Sequence, residues 1–217
     1  MTSRAAAGRR RKPAEQRRAE IVVAAGELAM AHGLEALTLR RVAEVLGVFP
    51  GLVSHYFPVA EDLVAAAFGH VTEAERAQVE ALVAGAVTPL AGMRALIDTL
   101  LSEEQDGVGL LWLDAWNAAR RRPALHDEVA RQMAGWHGLA VGLIERGRHA
   151  GAFRVADPEA TATVLLAAID GLSMQAALRP GLDHPVVRRW VIATAERELG
   201  LAPGALHPPG ALHPPSA

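Results

Sequence analysis

The chain has 217 residues and a formal net charge of −2, with 51% hydrophobic, 21% charged and 4% aromatic residues and no cysteine. That composition fits one sizeable domain, or a small module joined to a larger one, and excludes a disordered chain. It also excludes disulfide scaffolds, thiolate nucleophiles and cysteine-based zinc sites, and no apolar run reaches the roughly 18 residues of a membrane span. The apolar share is carried by Ala, Leu and Val, which favours helix over sandwich or barrel. The modest net charge hides an asymmetry: residues 1–60 carry a balance of +4 and residues 61–217 a balance of −6. A basic end on an acidic body suits contact with nucleic acid. The basic start is followed by charged residues and not by an apolar leader core, so a cytoplasmic location is expected.

In chain order, residues 1–12 are Arg- and Ala-rich without periodicity and are expected to form a disordered basic arm. Pro13 suits the start of a helix whose apolar face is Ile21, Ala25, Leu28 and Ala29, with Gly33 as its stop. Thr38 is a candidate N-cap for a short second helix with the stripe Leu39, Val42, Ala43 and Leu46. Gly47 supplies the turn, and a third short helix is expected from Pro50 to Phe57. Pro58 interrupts the chain before a long helix near Ala60. Further helices are expected over 60–84, 89–104, 108–121, 124–149, 158–178 and 185–199, with Thr88, Asp157 and Asp183 as capping candidates. The reading is all-α, with a small N-terminal domain at 15–75, a larger domain at 76–201 and a disordered Pro-rich tail at 202–217. The tail repeats six residues, Pro203–Pro208 and Pro209–Pro214.

Residues 38–57 have the form of a helix-turn-helix: a short amphipathic helix, a Gly turn and a second short helix. The first helix braces the second, which must enter a major groove about 12 Å wide and present small or polar side chains to base edges. Periodicity alone leaves a plain helical hairpin as a rival.

The stretch Gly33 to Val48, then Pro50-Gly51-Leu52-Val53-Ser54-His55-Tyr56-Phe57-Pro58 followed by Glu61-Asp62-Leu63, resembles the TetR family of one-component regulators. The wording Ser54-His55-Tyr56-Phe57 is most like its BetI-like subgroup. The resemblance implies DNA binding by Thr38, Arg40, Arg41, Phe49, Pro50, Gly51, Leu52, Ser54, His55 and Tyr56. Thr38 and Tyr56 would reach phosphates through their hydroxyls, and Arg40 and Arg41 would approach the backbone. Phe49, Pro50, Gly51, Leu52 and His55 would face the groove. Val53 and Phe57 are assigned to the core instead. Two residues depart from the family pattern: Phe49 stands where relatives carry Ser or Thr, and Ala60 where they carry a phosphate-reaching Lys.

In the larger domain, Leu111 to Arg120 and Ile169 to Gln175 resemble the BetI-like C-terminal domain. Trp112 and Trp116 share a helical face, as do Met133, Trp136, His137 and Ala140. An effector cavity is expected among Met93, Leu96, Leu100, Trp112, Trp116, Met133, Trp136 and His137, with core packing as the plain alternative. Trp faces favour an apolar or cationic organic ligand. The resemblance further implies a homodimer formed through Leu165, Ala168, Ile169, Gly171, Leu172 and through Val187, Trp190, Val191, Thr194; packing within one chain is the alternative. No phosphate loop, zinc-helix pattern or nucleophile elbow occurs, and Glu103-Glu104 and Asp127-Glu128 read as solvated faces, so no enzyme, cofactor or metal is expected. The expected partners are a palindromic double-stranded DNA operator, a small organic effector and a second copy of the chain, with no membrane. A DNA-independent ligand-binding bundle is the competing reading, which the helix-turn-helix and the charge split disfavour.

Overall fold

The computed structural model describes residues 13–178 and 184–207, and the described residues are helical with no strand. Helix α1 is Ala14–His32, α2 Leu39–Leu46, α3 Pro50–Tyr56 and α4 Ala60–Gly85. They are followed by α5 Pro89–Leu100, α6 Asp106–Ala119, α7 Pro123–His149, α8 Pro158–Leu178 and α9 His184–Glu198.

Local chemistry sets the ends. Thr38 Oγ1 accepts the Arg41 N–H at 3.1 Å, Thr88 Oγ1 that of Ala91 at 3.1 Å, and Asp157 Oδ1 that of Ala160 at 3.1 Å, so three helices begin on side-chain caps. Asp183 and the arm 1–12 lie outside the described residues. Gly47 closes α2 in the left-handed conformation, with φ 62°. Its N–H and that of Val48 return to the carbonyls of Glu44 and Ala43, a geometry that disfavours any side chain. Helix α5 stops at Leu100, short of the expected 104, and a 3₁₀ turn at Glu103–Gln105 leads into α6. Extended Ser102 breaks the ladder. The acids beside it would oppose the dipole at the end of α5 but suit the start of α6.

Two apolar cores lie along α4. The first joins Ile21, Leu28, Val42, Val53, Phe57, Leu63 and Phe68 to Leu111, Ala115, Leu125 and Val129 of α6 and α7. The second gathers Val79, Val83, Met93, Leu96, Ile97, Trp136, Leu143 and Ile144 with residues of α8 and α9. Because α4 runs unbroken through residue 75 and α6 and α7 supply part of the head's core, the two domains share elements instead of meeting at a linker. Helices α4 and α7 lie side by side and parallel. Glu61 Oε1 accepts the Ala124 N–H at 2.9 Å, the Gly69 carbonyl accepts from Gln132 at 3.4 Å, and a Cβ at Gly135 would stand 2.9 Å from Nε of Arg76.

Two expectations change. Leu165, Ile169, Val187 and Val191 are at most 4% exposed within the single chain. They face inward because α8 and α9 pack on each other and on α7 and α5, so they cannot form a dimer surface. The start of the tail is packed, not free. Leu206 is buried, Glu196 accepts the N–H groups of Gly204 and Leu206 at 2.9 and 2.8 Å, and Arg94 donates to the carbonyls of Ala205 and Leu206. Two charged side chains thus satisfy a turn that would otherwise stay with water. The second repeat lies outside the described residues.

Candidate nucleic-acid interface and effector cavity

The head leaves most of its sequence-marked residues around α2 and α3 open to solvent. Thr38, Arg40, Arg41, Pro50, Gly51, Ser54 and His55 are exposed, Leu52 and Tyr56 are half-buried, and Phe49 is 88% exposed. Val53 and Phe57 are buried, and the Arg18 guanidinium stands 4.8 Å over the Phe57 ring. Helix α3 therefore keeps one face in the core and offers the other to solvent. Phe49 holds its N-cap position without a side-chain bond, and Pro50 fixes the first helical φ. A Cβ at Gly51 would meet nothing of the described chain within 4 Å, so internal packing does not require the glycine there. Some polar groups are already engaged. Ser54 Oγ donates to the Pro50 carbonyl at 3.2 Å, Arg40 pairs with Glu44 at 2.8 Å, and Arg41 reaches the Ala36 carbonyl at 3.4 Å. The His55 and Tyr56 rings meet edge-on at 5.2 Å.

A cavity of about 620 Å³ opens among α4, α5, α6, α7 and α8. Leu100, Trp112, Trp116, Met133, Trp136 and His137 line it. Met93 and Leu96 do not: they are 0% and 2% exposed in the second core, because only the last turn of α5 reaches the cavity. Trp112 stands edge-on to Phe68 of the head's core at 4.9 Å and tilted against Trp116 at 5.8 Å. One indole thus touches the cavity and the head together. His137 is satisfied, with Nε2 3.1 Å from both the Glu159 carbonyl and Thr163 Oγ1.

Four acids, Glu75, Asp106, Glu159 and Asp170, also line the cavity, and no Lys or Arg does among the described residues. Glu75 is 8% exposed and its Oε2 has no hydrogen-bond partner. Burial lifts its carboxyl to about 7; the Trp112 indole N–H opposes the rise and the charge of Asp170 adds to it. Asp170 opens onto the cavity, and the protein packed around its carboxyl raises it to about 6. Trp116 Nε1 and Ser173 Oγ are likewise buried without partners. The sequence carried a trace of this site. Glu75 interrupts the buried stripe Phe68, Thr72, Val79, Val83 at helical spacing, and Asp170 lies within the Ile169–Gln175 segment.

A head with an exposed recognition-type helix, joined to a domain with a cavity of ligand size, defines a helix-turn-helix DNA-binding regulator. The profile of bacterial regulatory proteins of the tetR family matches residues 21–67, and that of the BetI-type transcriptional repressor C-terminal domain matches residues 89–200. The chain belongs to the TetR family of transcriptional regulators, with a BetI-type C-terminal domain. It is 30% identical over 195 residues to the HTH-type transcriptional regulator BetI 1 of Chromohalobacter salexigens, covering 84% of this chain and 90% of that one. A TetR-family regulator from Rhodococcus superposes with TM-score 0.73 at 24% identity, covering 85% of this chain and 99% of that one. A regulator from Saccharomonospora viridis, solved in complex with choline, superposes with TM-score 0.74 at 21% identity, covering 85% and 98%. No helix of the described residues is long and apolar enough to cross a membrane.

Proposed function

We propose that this repressor works as a homodimer whose two α3 helices read a palindromic operator and which an organic cation releases from DNA. The heads would sit about 34–36 Å apart, or a multiple, to enter successive major grooves. Phe49, Pro50, Gly51, Leu52 and His55 would face base edges, with Phe49 or Leu52 against a thymine methyl. Thr38, Arg40, Arg41, Ser54 and Tyr56 would position the head on phosphates and sugars. The two chains would meet through the exposed remainder of the α8–α9 surface: Trp190, Gly171, and the half-buried Ala168, Leu172 and Thr194.

The observation that carries the effector class is the unpartnered Oε2 of Glu75 inside a cavity with four acids, three tryptophans and no basic wall. A buried anionic oxygen without a partner is costly unless a ligand completes it. Indole faces add attraction for a cation that cannot donate hydrogen bonds, such as a quaternary ammonium. The choline held by the Saccharomonospora viridis regulator, a protein of the same fold, supports this class. Trp112 offers a route from cavity to head through Phe68.

Tryptophan fluorescence titrated with choline, tetramethylammonium and matched carboxylates tests the effector class. Quenching or enhancement by the cations, lost in Trp112→Phe or Trp116→Phe, is the expected result. Binding of the carboxylates in place of the cations would refute the reading.

A further inference from the structure

We infer that the turn between α6 and α7, Arg120-Arg121-Arg122, is a second DNA-backbone contact outside the helix-turn-helix. Parallel packing puts the first turns of α4 and α7 at one end of the molecule, joined by the 2.9 Å bond from the Ala124 N–H to Glu61 Oε1. Glu61 follows the last residue of α3, Tyr56, by five positions, a span of at most about 17 Å. Leu125, three residues beyond Arg122, is fully buried in the head's own core. The turn therefore belongs to the head end of the molecule although it is built from the regulatory domain.

Arg120 and Arg121 are exposed and Arg122 is half-buried, and none has an ion-pair partner among the described residues. Arg17, Arg40, Arg131, Arg148 and Arg188 each sit on a carboxylate. Other arginines, such as Arg41, Arg146 and Arg189, also lack an ion pair, but nowhere else among the described residues do three stand in a row. Three adjacent guanidiniums left unneutralised make a local field suited to a polyanion, and guanidinium geometry matches phosphate oxygens. The plain alternative is a favourable end for α6, since cations stabilise a helix C-terminus. That role would affect folding and leave DNA binding alone.

The inference adds to the head's contacts and rests on the reading of the chain as a DNA binder. The test is the salt dependence of binding to a random-sequence duplex, where each phosphate neutralised contributes about 0.9 to the slope of log Kobs against log salt. Arg120→Gln/Arg121→Gln/Arg122→Gln should flatten the slope by about 2–3 per bound head with little change in sequence preference. Arg121→Gln alone, at an exposed side chain, should flatten it by about 0.9, and Arg121→Lys should restore it. Arg146→Gln carries the same charge change on α7, 24 residues beyond Arg122 and roughly 36 Å from it, and should leave the slope unchanged. Folded Arg121→Gln and triple variants with the wild-type slope would overturn the inference, as would an equal loss in Arg146→Gln. A wild-type chain with no salt-dependent DNA binding would overturn the head reading itself, so the two failures are distinguishable.

Discussion

Replacing Glu75 by Gln isolates the energetic role of the cavity carboxyl. The variant keeps the shape and an oxygen for the Trp112 indole, but cannot ionise. The native carboxyl titrates near 7 against an ordinary 4.5. At 1.36 kcal/mol per unit, the folded protein gives up about 3 kcal/mol when Glu75 is forced to ionise. The sign follows from the raised value: the contribution is fully present below pH 4.5 and is lost as pH climbs through 7. Glu75→Gln should therefore exceed the wild type by less than about 1 kcal/mol at pH 5 and by about 3 kcal/mol at pH 8. For a chain of this size, about 3 kcal/mol corresponds to a melting-temperature gain of about 6–12 °C. The assay is thermal unfolding by circular dichroism at both pH values, without ligand. Equal gains at pH 5 and pH 8, or a loss at pH 8, would refute the account of Glu75 as a destabilised, unpartnered anion. The same variant should bind tetramethylammonium at least tenfold more weakly, because the cation loses its buried counter-charge.

Other outcomes follow from the same geometry. Wild-type affinity for tetramethylammonium should fall about tenfold from pH 8 to pH 6, because protonation of Glu75 competes with the cation; calorimetry showing a flat profile would contradict this. Tyr56→Phe should weaken binding to all duplexes similarly, whereas Leu52→Ala should change the preferred sequence, as selection from a random library would reveal. Gly147→Ala drives a Cβ into the Phe153 ring and should cost about 1–3 kcal/mol of stability through overpacking, seen as a lowered urea midpoint. Trp190→Asp alters a side chain 48% exposed in the single chain, so it should yield folded monomers by sedimentation; a persistent dimer would remove Trp190 from the interface.

Helix ends were the most legible part of the sequence, because Thr38, Gly47, Thr88 and Asp157 act on neighbours a few residues away. The exposed face of α3 was legible for the same reason. Packing across long separations was not. Leu165 and Trp190 both lie on apolar stripes, yet one is core and the other surface, and only the arrangement of α5, α7, α8 and α9 separates them. Met93 shares a face with Leu96 and Leu100, but the cavity begins only at the last turn of α5. The acids of the cavity come from α4, α6 and α8, and no local pattern reports that Glu75 and Asp170, 95 positions apart, share one space. The first repeat reads as part of a disordered tail because its partners, Arg94 and Glu196, lie on other elements.

If cavity and head are coupled, each ligand must weaken binding of the other, and reciprocal titrations measure that coupling. Using a duplex selected from random sequence, fluorescence anisotropy would give the affinity for DNA with and without saturating tetramethylammonium. Calorimetry would give the affinity for the cation with and without that duplex. The cation should weaken DNA binding by a factor of about 5–150, and DNA should weaken cation binding by the same factor. Tight binding of both partners with neither affecting the other would contradict the coupling.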